Sequence, residues 1–201
     1  MSKVVAIMSM SLDGFVADAH DGVNEVFDWY FSGDVEVPTV SARSGMTFRV
    51  SPPSADHLRA LQTEVGAMLT GRRTFEVADG WGGEHPWQVP AFVVTHQVPD
   101  GWPRPDSTVY FVTDGIESAV AKAKAAAGAK SVGVHGAETI QQIINLGLLD
   151  EIHVDVAAVL LGSGVRLFDN LANTPLVLGS PTVVAGAKVT HLRYPVHPSK
   201  T

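Results

Sequence analysis

Cysteine is absent from the 201 residues, which excludes disulfides, thiolate zinc sites and cysteine nucleophiles and suits a reducing compartment. No run approaches the roughly 20 apolar residues of a membrane span. Positive charge is scarce: 14 Lys and Arg face 21 Asp and Glu, a net charge of −7. That balance argues against a nucleic-acid partner, and it makes any local basic pair stand out. The first residues, Met1 to Met8, lack separate charged, apolar and cleavage regions and read as a core strand. A cytoplasmic protein without a membrane partner is therefore expected. Repeats, low-complexity segments and domain linkers are missing too. His85, His96, His135, His153 and His191 are scattered without paired ligand spacing, so no metal site is expected. Ser11 and Ser163 lack a nucleophile elbow.

Hydrophobic residues make up 45% of the chain, enough for a sizeable core in one domain spanning residues 1–201. The segment that organises the chain is Ser131 to Gln142. Val132 and Val134 read as a short buried strand, and Gly136 permits a turn that a Cβ would resist. Ala137 and Thr139 are small, and Ile140, Ile143 and Ile144 repeat at helical spacing. The free N–H groups of such a helix start, Gly136 to Ile140 with Glu138 among them, suit a phosphate or pyrophosphate. An ordinary strand–turn–helix corner has the same pattern. A second junction runs from the strand Gly66–Thr70 into Gly71-Arg72-Arg73-Thr74. Two arginines beside a helix start match phosphate oxygens, although solvated surface arginines are the alternative.

The remaining segments fit around these two corners. Val4–Met10 is an apolar strand ending in Ser11-Leu12-Asp13-Gly14, where Asp13 is either a turn former or a catalytic carboxylate. Aromatic residues between Val26 and Phe31 wall a pocket or pack a short helix. Val35–Val40 and Met46–Val50 suggest a hairpin. Ser54 is read as a helix N-cap, with Asp56 in the first turn. Trp81 and Trp87 lie in a glycine-rich loop and either stack on a planar ring or hold the loop down. Ala91–His96 is a further strand, with Thr95 and His96 able to touch a nucleotide. Val109–Val112 follows, then a helix Ile116–Ala127 capped by Asp114 and closed by Gly128. Ile152–Leu161 reads as one long strand. The last part reads as antiparallel strands turning at Gly179-Ser180 and Ala185-Gly186. Strands alternating with helices, then strands alone, predict an α/β mixed sheet, mostly parallel with antiparallel C-terminal strands, flanked by helices.

The ordered set Met10–Phe15, Gly71–Glu76, Val93–His96, Val134–Gln142, Leu148–Glu151, Leu161–Gly164 and Leu167-Phe168 resembles the dihydrofolate reductase-like superfamily. It is most similar to the C-terminal reductase domain of the bifunctional riboflavin-biosynthesis deaminase-reductase and its stand-alone bacterial relatives. The resemblance implies NADPH lying across strand ends. Gly71, Arg72, Arg73 and Thr74 would hold the adenosine-side phosphates, including the 2′-phosphate. Thr95 and His96 would lie near the adenosine, and Gly136, Ala137, Glu138, Thr139 and Ile140 would hold the pyrophosphate. Leu12 and Asp13 would border nicotinamide and substrate. For the chemistry itself, Asp13 is the candidate for polar contact with substrate or proton relay, and Trp81 and Trp87 line the substrate pocket if their loop folds over it. A homodimer through the late strands is implied as well. Two departures are evident: His135-Gly136 stands where dihydrofolate reductases carry a double glycine, and their pterin-anchoring helix carboxylate has no clear match. The expected function is an NADPH-dependent oxidoreductase passing a hydride to a small planar heterocycle, pterin-like or pyrimidine-like. A non-catalytic NADP(H)-binding module or sensor is the alternative. A sugar-phosphate or nucleotide enzyme without redox chemistry is a third reading.

Overall fold

A computed structural model describes residues 2–196. Its centre is β1 (Val4–Ser11), followed by the short β2 (Phe15–Ala17). Then come α1 (Asn24–Phe27), a 3-10 turn (Asp28–Phe31), β3 (Val35–Pro38) and β4 (Thr47–Val50). The middle of the chain holds α2 (Pro52–Glu64), β5 (Val65–Gly71), α3 (Arg72–Val77), β6 (Ala91–Val94), β7 (Val109–Val112) and α4 (Ile116–Ala127). β8 (Ser131–His135), α5 (Ala137–Asn145), β9 (Glu151–Ala157), β10 (Val165–Arg166), β11 (Thr182–Gly186) and β12 (Val189–Pro195) complete it.

Eight strands form one sheet in the order β11-β12-β9-β1-β8-β5-β6-β7. All neighbours from β9 to β7 are parallel, whereas β12 pairs antiparallel with both β9 and β11. β1 is buried along most of its length because both faces are covered, which accounts for its unbroken apolar run. Val4 and Ala6 pack with α4 and α5, while Val5 and Ile7 pack with Leu61 of α2 and with Phe75 and Trp87. α5 sends Ile140 and Ile143 into the first of these layers, as its periodicity requires. The expected mixed architecture is the one observed. β3 and β4 form the anticipated hairpin as a separate two-stranded sheet.

Several local expectations need correction. The N-cap of α2 is Ser51, with Pro52 in the first turn, so Ser54 is a buried interior residue and Asp56 lies beyond the first turn. Gly115, not Asp114, precedes α4; Asp114 instead accepts hydrogen bonds from Ser118 and Lys122. β9 stops at Ala157, and the last hairpin turns at Ala187-Lys188.

Candidate functional site

A cleft of about 1570 Å³ opens over the ends of β5, β6 and β8 and runs across the sheet to β1 and β9. Ends of parallel strands expose free helix N-termini and are where open α/β sheets bind ligands. Its first half is built by the two glycine corners. The paired strands β5 and β8 bring Thr70 level with His135, and the Thr70 hydroxyl donates to the His135 carbonyl at 3.2 Å. The chain then leaves each strand through a glycine. A Cβ on Gly71 would stand 2.8 Å from Thr139 Oγ1. A Cβ on Gly136 would stand 2.5 Å from Thr74 Oγ1, and Gly136 adopts φ 89°, a backbone that side chains resist. The starts of α3 and α5 therefore adjoin, each beginning where the other corner allows it.

Gly71, Arg72, Arg73, Thr74, Thr95, His96, Gly136, Ala137, Glu138 and Thr139 all line this cleft, as do Trp81 and Trp87. Both arginines already have partners. Arg72 donates to Glu76 at 2.7 Å and to the Gln97 carbonyl at 3.2 Å. Arg73 makes a two-pronged pair with Asp21, and that pair raises the arginine's pKa. Three expected residues lie elsewhere. Ile140 is fully buried in the core and its N–H bonds the Gly136 carbonyl. Leu12 is 68% exposed and does not line the cleft. Asp13 does not line it either. Its carboxylate accepts from Ser11 Oγ (2.6 Å), Leu161 N–H (3.1 Å) and Gly162 N–H (2.7 Å). The Ser11 hydroxyl, then the two backbone amides, outweigh desolvation and hold its pKa at about 2. Asp13 thus ties Ser11 to the loop after β9, as a turn-forming residue at a strand end can.

The second half contains a group that the sequence reading missed. Ser9, Asp155 and His191 stand at one register level on β1, β9 and β12. His191 Nδ1 lies 2.7 Å from Asp155 Oδ1, and its Nε2 lies 2.8 Å from Ser54 Oγ. His57 of α2 puts Nε2 at 3.0 Å from the same carboxylate oxygen, without the alignment of a hydrogen bond. Burial pushes the Asp155 carboxyl up, but the two histidines more than offset it and hold the pKa at about 2. Tyr30 is stacked between Trp29 and Phe48, with centroids 3.9 and 4.5 Å away, and lines the cleft beside Ser9 and Asp155. Desolvation and the Asp155 charge raise its phenol pKa. His85 and His135 line the cleft too. Burial lowers the His135 pKa to about 4, and burial together with the His135 charge lowers that of His85. The available signal was Asp155 itself, a charge inside the apolar strand Ile152–Ala157; the partners come from distant segments.

His57, Asp155 and His191 keep one ligand atom each within 4.8 Å of one another. The imidazoles, however, are stacked at 4.1 Å and 23°, and the His191–Asp155 bond fills the space between those two groups. Near-parallel rings do not converge their in-plane lone pairs on one ion, so the cluster fits a hydrogen-bonded network better than a metal centre.

Residues 2–192 match the family model described as the RibD C-terminal domain. The chain belongs to that family. RibD C-terminal domain membership supports a reductase-type function, and three solved structures share the fold. A Shewanella sp. PV-4 protein assigned to riboflavin biosynthesis is 24% identical, with a TM-score of 0.70 over 98% of this chain and 99% of its own. The riboflavin biosynthesis reductase Rib7 of Saccharomyces cerevisiae is 14% identical, TM-score 0.63, over 98% and 90%. Dihydrofolate reductase from Enterococcus faecalis, solved with NADP(H), is 12% identical, TM-score 0.59, over 98% and 97%. Among the described residues, no helix of this RibD-type chain is long and apolar enough to cross a membrane.

Proposed function

We propose that this chain is an NADPH-dependent reductase that transfers a hydride to a small planar heterocycle, pterin-like or pyrimidine-like. The observation that carries the reading is the contact between the two glycine corners: one dinucleotide can reach both from a single cleft. Either corner with a Cβ would close on the other, so the space left there fits a main-chain cradle for phosphates. In this reading, the amides of Gly136 to Thr139 face the pyrophosphate. Arg72, Arg73 and Thr74 take the 2′-phosphate, and Thr95 and His96 border the adenosine. The cofactor supplies the hydride; the protein holds it, orients the substrate and excludes water. Tyr30, Trp81 and Trp87 give flat apolar surface for the heterocycle. For Arg73 to bind a phosphate, its bond to Asp21 must exchange, which leaves a carboxylate at the cleft mouth as a built-in competitor.

Titration with NADPH and NADH tests the proposal, and binding of neither overturns it. Arg72→Ala is expected to weaken NADPH more than NADH; equal losses contradict the 2′-phosphate assignment. The engagement of Asp13 in its loop favours a second reading, a non-catalytic NADP(H)-binding module, because it ties up the candidate proton relay. Cofactor binding without turnover on pterins, flavins and quinones would select that reading. Cytoplasmic residence accords with the lack of cysteine and with the need for NADPH. A homodimer through the late strands accords with exposed Val177 and Val183, and sedimentation velocity tests it.

A further inference from the structure

We infer that Asp155 is the group that recognises the substrate, and that the substrate is an unphosphorylated heterocycle presenting ring or exocyclic N–H donors to that carboxylate. The inference rests on the reductase reading and adds the substrate's chemistry to it. Asp155 is 3% exposed, yet it lines the cleft. Its Oδ1 is taken by His191 and approached by His57. Its Oδ2 accepts no hydrogen bond from the described residues and is not among the fully buried unpaired atoms, so it keeps access to the cleft. A carboxylate oxygen that faces the cleft with no donor from the protein is open to a ligand N–H, and in a site walled off from water that bond is a strong one. His191 fixes the orientation. It donates through Nδ1 to Asp155 and accepts from Ser54 through Nε2, so the carboxylate cannot turn its free oxygen inward without breaking that chain.

The surroundings limit the ligand further. Tyr30, held by Trp29 and Phe48, gives a flat aromatic wall next to Asp155. Among the described residues lining the cleft, the only Lys and Arg side chains are Arg72 and Arg73, both at the glycine corners. Asp28 lines the cleft as Asp155 does, and the Lys188 that pairs with Asp28 at 2.7 Å does not. With both arginines assigned to the cofactor, a phosphate on the substrate would find carboxylates and no further Lys or Arg among the described residues lining the cleft, whereas a cationic or donor-rich ring would be attracted.

The test uses the whole chain loaded with NADPH and three pyrimidines: one with an amino group beside a ring nitrogen, its N-methylated counterpart lacking the donors, and one carrying a phosphoribosyl group. The donor-bearing ring is expected to bind at least tenfold tighter than either of the others. Asp155→Asn is expected to erase that preference, with NADPH titration and a thermal melt checking that the variant is folded. If the variant does not fold, the wild-type ranking decides alone. Equal binding of the N-methylated ring, or tighter binding of the phosphoribosyl compound, overturns the inference. Failure of NADPH itself to bind overturns the reductase reading and this inference together; NADPH binding without a donor preference overturns the inference only.

Discussion

Gly136→Ala probes the contact on which the cofactor site depends. Two separate penalties are expected. Gly136 sits at φ 89° and ψ 128°, and holding a residue with Cβ in such a sparsely populated region costs about 1–3 kcal/mol. The new methyl would also lie 2.5 Å from Thr74 Oγ1, well inside van der Waals contact. Overpacking of that kind costs about 1–3 kcal/mol. Together they amount to about 4 kcal/mol, or a drop in Tm of roughly 8–16 °C for a chain of this size. The steric share belongs to Thr74, whereas the backbone share does not. Thr74→Ala alone should cost under about 1 kcal/mol, as a modest substitution at a partly buried site. In the double variant it should restore about 2 kcal/mol. Urea unfolding of wild type, both single variants and the double variant measures this coupling. Additivity to within about 0.5 kcal/mol would mean that the two corners do not touch, and the case for a shared cradle would fail.

Three other perturbations test neighbouring parts of the account. Asp21→Asn frees Arg73 from its competitor and should tighten NADPH binding severalfold in calorimetry; weaker binding would contradict a phosphate role for Arg73. The His135 pKa, lowered to about 4 by burial, means that the unfolded chain takes up a proton below pH 6.5 that the folded chain refuses. Stability should therefore fall as pH drops from 6.5 towards 4, by about 2 kcal/mol between pH 6.5 and 5, with His85 acting in the same direction. Urea melts of wild type and His135→Asn at both pH values should show a shallower slope in the variant; parallel slopes would refute the assignment. Asp13→Ala should speed amide exchange at Leu161 and Gly162 while leaving NADPH affinity within about twofold, and protection that stays intact would deny the bracing role.

The parts legible in the sequence are those set by local chemistry. Val4–Ser11 and Ser131–His135 announce buried parallel strands, and Gly71 and Gly136 announce corners, because periodicity and backbone freedom are properties of neighbouring residues. The contacts of Asp13 were not legible, because Asp-Gly at a strand end fits a catalytic turn and a loop brace equally well. Its partners, Leu161 and Gly162, are some 150 positions away in the chain, at separations of 148 and 149. Ser54 was misread for the same reason: its neighbours suggest a cap, but its bond is to His191, at a separation of 137. The Asp155 cluster was invisible because it is assembled by sheet register, which joins β1, β9 and β12 with α2, and no spacing along the chain encodes that.

The central claim is that a single 2′-phosphorylated dinucleotide spans both glycine corners. Calorimetric titration of the wild-type protein, Arg72→Ala and Gly136→Ala with NADPH and with the adenosine 2′,5′-bisphosphate fragment tests it most directly. The account predicts that Arg72→Ala weakens both ligands, while Gly136→Ala weakens NADPH more than the fragment. Equal NADPH affinity in all three proteins, or no affinity in any, would contradict it.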